Sequence, residues 1–209
     1  LLGNLWVLQG DAAKLLPQFA NEQGASHVFW NRCYEPSIIH RDSLIKEQLT
    51  ADGLTASSLN GSLIWEPWEN LKQDGTAYKI FTPFYKYAIA NHPPAAPSHE
   101  DTSTFDTVKC LQDKNRFDKL NLLPAINWHK QISATWQPGE KGARQRLQNF
   151  IHNGLGDYRD GRDYPDKRSV SMLSPHLHFG EISPKEAAHV VQQAGDIDSN
   201  EEQAAHFVR

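Results

Sequence analysis

Short apolar runs alternate with helical patterns over the first 60 residues of the chain. Apolar runs of strand type occur at residues 5–8, 27–30 and 55–59, and we expect the second of them to be buried. Strands that are separated by single helices form right-handed βαβ units and a parallel sheet. The pattern therefore predicts an α/β fold for this part of the chain.

Two helices are predicted between these strands. The first follows Asp11, which can cap it, and is either kinked or restarted at Pro17. The second begins at Pro36 and ends at Gly53. Its inner side is formed by four apolar residues, Ile38, Ile39, Ile45 and Leu49.

The second half of the chain has a helical pattern. Regular periodicity disappears from residue 60 to about 107, and residues 91–101 have the composition of a linker. Beyond it, a first helix is expected to end at Gly154, with an apolar face formed by Ala143, Leu147, Phe150 and Ile151. A second helix is expected to begin at Ser183-Pro184 with a capping box and to end at Gly195. A third helix is expected to begin at Asn200. The predicted domains are a partial α/β domain (1–90), an interdomain linker (91–130) and the start of an all-helical domain (131–209).

Composition narrows the class of protein. With 39% hydrophobic and 22% charged residues among 209, the chain has an ordinary globular composition. No apolar run is long enough to cross a membrane, so no membrane partner is expected. The two cysteines, Cys33 and Cys110, lie far apart, which favours reduced thiols and a cytoplasmic location. The net charge of −4 disfavours nucleic-acid binding. We expect this chain to be an internal fragment of a larger protein, however, and the charge of a fragment says less about the whole protein.

The candidate chemistry lies in residues 158–184. Ser171 and Ser174 surround the start of a helix at Pro175, an arrangement that suits a phosphate but also fits ordinary capping. Tyr158 is an aromatic residue in a glycine-rich loop, and Arg162 lies among aspartates that could simply pair with it. The histidines of the H-x-H pair, 176 and 178, lack further ligands at metal spacing. We assign them to packing or hydrogen bonding and predict no metal.

Four motifs resemble those of the DNA photolyase/cryptochrome family. They are N-R-C-Y-E-P at 31–36, G-S-L-I-W-E-P-W at 61–68, Y-K-I-F-T-P-F-Y-K at 78–86 and S-M-L-S-P-H-L-H-F-G-E-I-S-P at 171–184. The last resembles the flavin-phosphate loop of the family, with Val170 where threonine is usual. The aromatic-proline motifs at 61–68 and 78–86 are expected to serve packing. The chain is most similar to the bacterial cyclobutane pyrimidine dimer photolyases.

The resemblance implies a deoxyribodipyrimidine photolyase that binds UV-damaged DNA and splits pyrimidine dimers by light-driven electron transfer from FAD. It implies a Rossmann-like antenna domain followed by a helical FAD-binding domain, and a monomer. A second antenna chromophore, either folate or deazaflavin, is left open. Arg162 is implied to contact the DNA backbone. The implied FAD contacts are Tyr158, Val170, Ser171, Met172, Leu173 and Ser174.

The resemblance also implies what this chain lacks. No catalytic residue is assigned, because the tryptophan electron-transfer chain and most of the flavin-binding helices are expected beyond Arg209. We therefore expect the chain alone neither to hold FAD firmly nor to repair DNA.

Three other functions stay open. A cryptochrome-type blue-light photoreceptor shares the fold and the cofactor loop, and the lesion could be a cyclobutane or a six-four product. An inactive truncated flavoprotein fragment is the second. The third is a stand-alone nucleotide-binding α/β module, although residues 1–60 contain no glycine-rich phosphate loop of recognised spacing.

Overall fold

The computed structural model describes residues 6–94, 96 and 120–209. By their contacts these residues form two compact units, one within 1–59 and 98–134 and the other within 60–97 and 135–209. The domain boundaries predicted from the sequence stay a prediction. The helices and strands are α1 (Ala12–Glu22), β1 (His27–Asn31), α2 (Pro36–Ala51), β2 (Thr55–Leu59), α3 (Phe81–Asn91), α4 (His129–Thr135), α5 (Glu140–Asn153), α6 (Tyr158–Gly161), α7 (Ser174–His178), α8 (Pro184–Ile197) and α9 (Glu201–Val208).

The first unit contains a two-stranded parallel sheet. β1 and β2 pair in register from His27 opposite Thr55 to Asn31 opposite Leu59, and α2 connects them. α1 packs on α2, and their apolar faces meet around Ile45 and Leu49. The parallel α/β arrangement predicted from the alternating pattern is confirmed.

The start of α1 follows the predicted local chemistry. The Asp11 carboxylate accepts a hydrogen bond from the Ala13 N–H at 3.0 Å, and so caps the helix as expected. Pro17 is buried inside α1, and the helix continues through it to Glu22.

Three expectations for the first unit are wrong. Trp6–Leu8, the described part of the predicted first strand, form no strand, and β1 pairs only with β2 among the described residues. β1 is not buried, since Phe29 is 61% exposed. Ile39 is 48% exposed, whereas Ile45 and Leu49, one helical turn apart, are buried. Only that narrow stripe of α2 faces the core, because a residue six positions earlier points away from it.

The first helix of the second unit, α3, is one that the sequence pattern missed. α3 lies within the stretch expected to be irregular, and Pro83 occupies its first turn, where no N–H is needed. The Trp65 indole N–H donates to the His92 carbonyl at 2.6 Å, and its ring packs edge-on against Phe84. These contacts support the packing role expected for the aromatic-proline motifs. Most of the predicted linker at 91–101 lies outside the described residues.

A helical core forms the rest of the second unit. The predicted face of α5 is confirmed, since Ala143, Leu147 and Phe150 are buried and Ile151 packs against them partly buried. Gly154 follows the helix as its cap. The core continues through the turns and helices that follow and also contains Leu155, Leu173, Ile182, Ala187, Val191 and Ala204.

The two ends of α8 were not equally predictable. At its start the Ser183 hydroxyl accepts from the Glu186 N–H at 3.0 Å, as the capping pattern predicts. The expected stop at Gly195 is wrong, because α8 continues to Ile197. A Cβ at residue 195 would lie 2.6 Å from the Cβ of Ala204, so the glycine serves the close approach of α8 and α9. α9 begins after Asn200 as expected, although the Asn200 side chain makes no cap hydrogen bond.

Candidate functional site

The segment that leads into α7 has an unusual backbone. Met172 has a φ of 56°, in the left-handed region, and Leu173 after it is right-handed. The Leu173 side chain is buried in the helical core, which fixes the segment, while Val170 and Met172 are exposed. Adjacent left- and right-handed residues turn successive N–H groups toward one side. The N–H groups of Met172 and Ser174 donate to no residue that the structure describes.

A hydrogen-bonded carboxylate holds the chain before this segment. Asp157 Oδ2 accepts from Lys167 Nζ at 2.9 Å and from the Ser169 hydroxyl at 3.1 Å. The bonds from Lys167 and Ser169 lower the pKa of the Asp157 carboxyl from its ordinary value of 3.8, and the same ion pair raises the pKa of Lys167. Ser169 is buried, so the network ties the loop to the turn before α6.

An open cleft of about 950 Å³ separates α5 from this loop. The loop contributes Val170, Ser171 and Met172 to its wall. Polar side chains of α5 face it, together with residues on either side of Trp136. Its charged lining residues are Arg146, Lys167 and Arg168, and no carboxylate lines it among the described residues. The cleft is therefore positively charged.

A stack of side chains stands behind Arg146. Its guanidinium carbon lies 4.4 Å from the centre of the Trp136 ring, an attractive cation–π distance. The buried His176 ring stacks on Trp136 with centres 4.8 Å apart and a 23° interplanar angle. His176 Nδ1 lies 2.5 Å from Glu181 Oε2, and since an ionised carboxylate only accepts, Nδ1 carries the hydrogen. This bond, together with the Gly139 N–H, lowers the pKa of Glu181.

The residues predicted to form the site do not all meet in the cleft. Val170, Ser171 and Met172 line the cleft, whereas Leu173 is buried in the core and Ser174 does not line the cleft. The Ser171 hydroxyl accepts from the Leu173 N–H at 3.4 Å.

Tyr158 and Arg162 lie together and are not among the residues that line the cleft. The Tyr158 ring packs against Phe150 and Phe207, each with centres 5.5 Å away. The Arg162 guanidinium lies 5.6 Å from the Tyr158 ring centre and 3.8 Å from an Asp163 oxygen. Arg162 thus makes the local ion pair that the aspartate-rich sequence suggested.

The H-x-H pair has the packing and hydrogen-bonding contacts expected for it. His176 bonds to Glu181, and the His178 ring packs edge-on against Phe179. Within the described ranges, no group of three or more histidine, cysteine or carboxylate side chains could hold a metal ion.

The motif at 31–36 stabilises the end of β1. The Arg32 guanidinium donates to the Ser58 hydroxyl at 3.2 Å and to the Ser58 carbonyl at 2.7 Å, which joins the carboxyl ends of the two strands. The Glu35 carboxylate accepts from the Tyr34 N–H at 3.2 Å, just before α2 begins.

Sequence reasoning missed the cationic wall of the cleft. Arg146 and Trp136 carry no motif of their own. A signal was present in the stripe of polar residues at helical spacing on α5, Gln145, Arg146, Asn149 and Asn153, opposite its buried face.

Comparison with known proteins gives consistent matches. The family model described as DNA photolyase matches residues 1–100. A deoxyribodipyrimidine photo-lyase from Agrobacterium fabrum is 37% identical over 191 residues, which are 91% of this chain and 40% of that protein. The crystal structure of a bacterial class III photolyase from Agrobacterium tumefaciens superposes with a TM-score of 0.83 at 37% identity, over 91% of this chain and 39% of that one. The chain belongs to the DNA photolyase/cryptochrome family. The resemblance carried by the four motifs is confirmed.

Both branches of the photolyase/cryptochrome family are among the relatives. Cryptochrome-1 of Arabidopsis thaliana is 30% identical over 185 residues, 87% of this chain and 27% of that protein. The chain thus spans less than half the length of the Agrobacterium fabrum photo-lyase and of Cryptochrome-1. Across the residues that the structure describes, no helix has the length and apolar character to span a membrane.

Proposed function

We propose that the protein containing this chain is a deoxyribodipyrimidine photolyase that splits cyclobutane pyrimidine dimers in DNA with light and FAD. The observation that carries the proposal is the 37% identity to a deoxyribodipyrimidine photo-lyase over 191 residues. That identity accompanies a flavin-phosphate motif whose backbone turns two N–H donors, those of Met172 and Ser174, away from other described residues.

The residues at the cleft fit a nucleotide diphosphate. A diphosphate needs N–H and O–H donors and positive charge, and it is repelled by carboxylates. The N–H of Met172 is available at the cleft, and that of Ser174 is available two residues further along the loop. The Ser171 hydroxyl can still donate its hydrogen, because the bond from the Leu173 N–H uses only its oxygen. Arg168 adds positive charge to the lining of the cleft.

FAD, when bound, supplies the light-excited electron donor that opens the dimer. The chain contributes binding and orientation. Leu173, buried beside the donors, holds the loop in one conformation, and Tyr158 presents an aromatic face fixed by Phe150 and Phe207. Arg162 would contact a DNA phosphate. Its guanidinium is half-exposed and would leave Asp163 to pair with the phosphate.

The test is light-dependent repair by the protein that contains this chain. An oligonucleotide with one cyclobutane thymine dimer is incubated in blue light and in darkness, and the remaining dimer is quantified by chromatography. We expect loss of the dimer in light only. The double variant Ser171→Ala/Ser174→Ala should retain FAD at least about tenfold more weakly, because each hydroxyl bond to a charged group contributes about 1.5–3 kcal/mol. Ser37→Ala, on the exposed side of α2, is the matched control and should leave retention unchanged.

A cryptochrome-type photoreceptor is the second candidate, favoured by the 30% identity to Cryptochrome-1. It predicts FAD binding without dimer loss in either light or darkness. Light-dependent repair excludes this alternative, and flavin binding without repair contradicts the photolyase proposal.

A further inference from the structure

The charge of the α5 cleft contrasts with that of the whole chain. The chain carries a net charge of −4, yet the charged residues that line the cleft, Arg146, Lys167 and Arg168, are all cations. A concave surface with charge of one sign concentrates ligands of the opposite sign. The cleft is therefore built for an anion.

Arg146 differs from the neighbouring cations in its partners. Arg144, also on α5, pairs with Glu186 at 3.2 Å, and Lys167 pairs with Asp157 at 2.9 Å. Among the described residues, no carboxylate lies within ion-pair distance of Arg146, whose guanidinium rests on Trp136. Its hydrogen-bond donors are free for a ligand, and the ring fixes their position.

The support under Trp136 is rigid. His176, 1% exposed, stacks on the Trp136 ring and is itself fixed by its bond to Glu181. The backbone N–H of Gly139, just before α5, also favours the ionised form of Glu181 and lowers its pKa. A guanidinium that is already positioned loses less conformational entropy on binding than a free one. The stack therefore orders Arg146 before any ligand arrives.

We propose that Arg146 is the main anion-binding residue of the α5 cleft, that Trp136 positions it, and that the ligand groups are phosphates. The choice of phosphate rests on the proposed function, because Ser171 belongs both to the flavin-phosphate motif and to the cleft wall. A guanidinium group binds phosphate through two parallel hydrogen bonds from the N–H groups at its edge. Because the guanidinium of Arg146 rests on Trp136 through its flat face, these N–H groups stay accessible. The phosphate comes either from a flavin nucleotide or from a nucleic-acid backbone.

Calorimetric titration of the full chain with inorganic pyrophosphate tests the assignment. Arg146→Gln should weaken pyrophosphate binding about 10- to 100-fold, the effect of losing a charge-assisted hydrogen-bond pair. Arg144→Gln is the matched control on the same helix. It removes a cation that the Glu186 pair already engages, and it should change binding less than about threefold.

Variants of Trp136 separate positioning from structural support. Trp136→Leu should weaken pyrophosphate binding about three- to tenfold, and Trp136→Phe should restore most of it, because phenylalanine keeps an aromatic face. Far-UV circular dichroism checks that both variants are folded. Equal weakening by leucine and phenylalanine would overturn the positioning role.

Competition identifies the source of the phosphate. Displacement of pyrophosphate by FAD but not by riboflavin supports a flavin nucleotide, and displacement by a short oligothymidylate supports a nucleic-acid backbone. Binding that is undetectable, or that is the same in wild type and Arg146→Gln, would overturn the proposal. Repair activity with Arg146-independent pyrophosphate binding rejects this inference alone. Arg146-dependent binding without flavin retention or repair rejects the proposed function alone.

Discussion

Replacement of Gly142 by alanine tests how closely α5 approaches the chain that precedes it. A Cβ at residue 142 would lie 2.8 Å from the Gln137 carbonyl carbon and closer still to its oxygen. Non-bonded carbon atoms are best separated by about 3.5–4.0 Å, so the Gln137 peptide must move by roughly 1 Å or more. The obstacle is backbone, which cannot change rotamer to make room.

Two effects of opposite sign set the size of the change. Alanine favours a helix over glycine by about 1 kcal/mol. Overpacking costs about 1–3 kcal/mol, and the upper end applies where backbone must move. We expect the clash to dominate and to lower the opening free energy of α5 by about 1–2 kcal/mol.

Native-state hydrogen exchange of the α5 amides measures this local free energy without reference to the other unit. We expect exchange in Gly142→Ala to be about 5- to 30-fold faster than in the wild type. Gly156→Ala is the matched control, because the nearest atom to its new Cβ is 4.0 Å away, and it should leave exchange unchanged or slower. Unchanged or slower exchange in Gly142→Ala would refute the close approach of Gln137.

Three further predictions concern the same unit. Leu147→Ala, at a position only 2% exposed, should destabilise the helical core by about 2–5 kcal/mol in denaturant unfolding, and a loss below about 1 kcal/mol would contradict the packing. The pKa of Asp157 is lowered in the folded state, so its ion pair with Lys167 contributes stability above pH 3.8 that is lost as the pH falls below this value. Asp157→Asn should remove that part of the acid dependence, which is measured as the free energy of unfolding in a series from pH 6 to about 2. Arg162→Gln should weaken DNA binding and reduce its salt slope by about 1, whereas Arg159→Gln, whose guanidinium pairs with Glu202, should leave the slope unchanged; equal slopes in both would remove Arg162 from the DNA contacts.

Local chemistry made several helix ends predictable. Asp11 and Ser183 cap the first turns of α1 and α8 through bonds to residues two or three positions ahead, and Gly154 follows α5. These interactions involve only neighbours in sequence, so they are visible without a fold. Gly195 shows the limit of such reasoning. Gly154 follows the end of α5, whereas Gly195 lies inside α8 and allows α9 to approach it closely.

The candidate site also contains one part that the sequence predicts and one part that only the fold defines. The motif at 171–184 predicted that this loop binds a cofactor, which stays a prediction, and the structure shows that Val170, Ser171 and Met172 line a cleft. The role of Arg146 could not be predicted, because Arg144 is the same residue type two positions earlier and only the fold places Glu186 beside it.

The sequence by itself determined the family, the α/β pattern of the first unit and the buried face of α5. Each depends on periodicity, capping or a contiguous motif, which interactions between near neighbours establish. Tertiary structure alone decided that Ile39 is exposed and that Gly142 and Gly195 lie too close to neighbouring residues for a side chain. It also decided that Trp136 contacts Arg146 and stacks on His176. These properties depend on how complete elements pack against one another and not on the residue type at one position, so the charge and shape of the cleft exist only once the helices have docked.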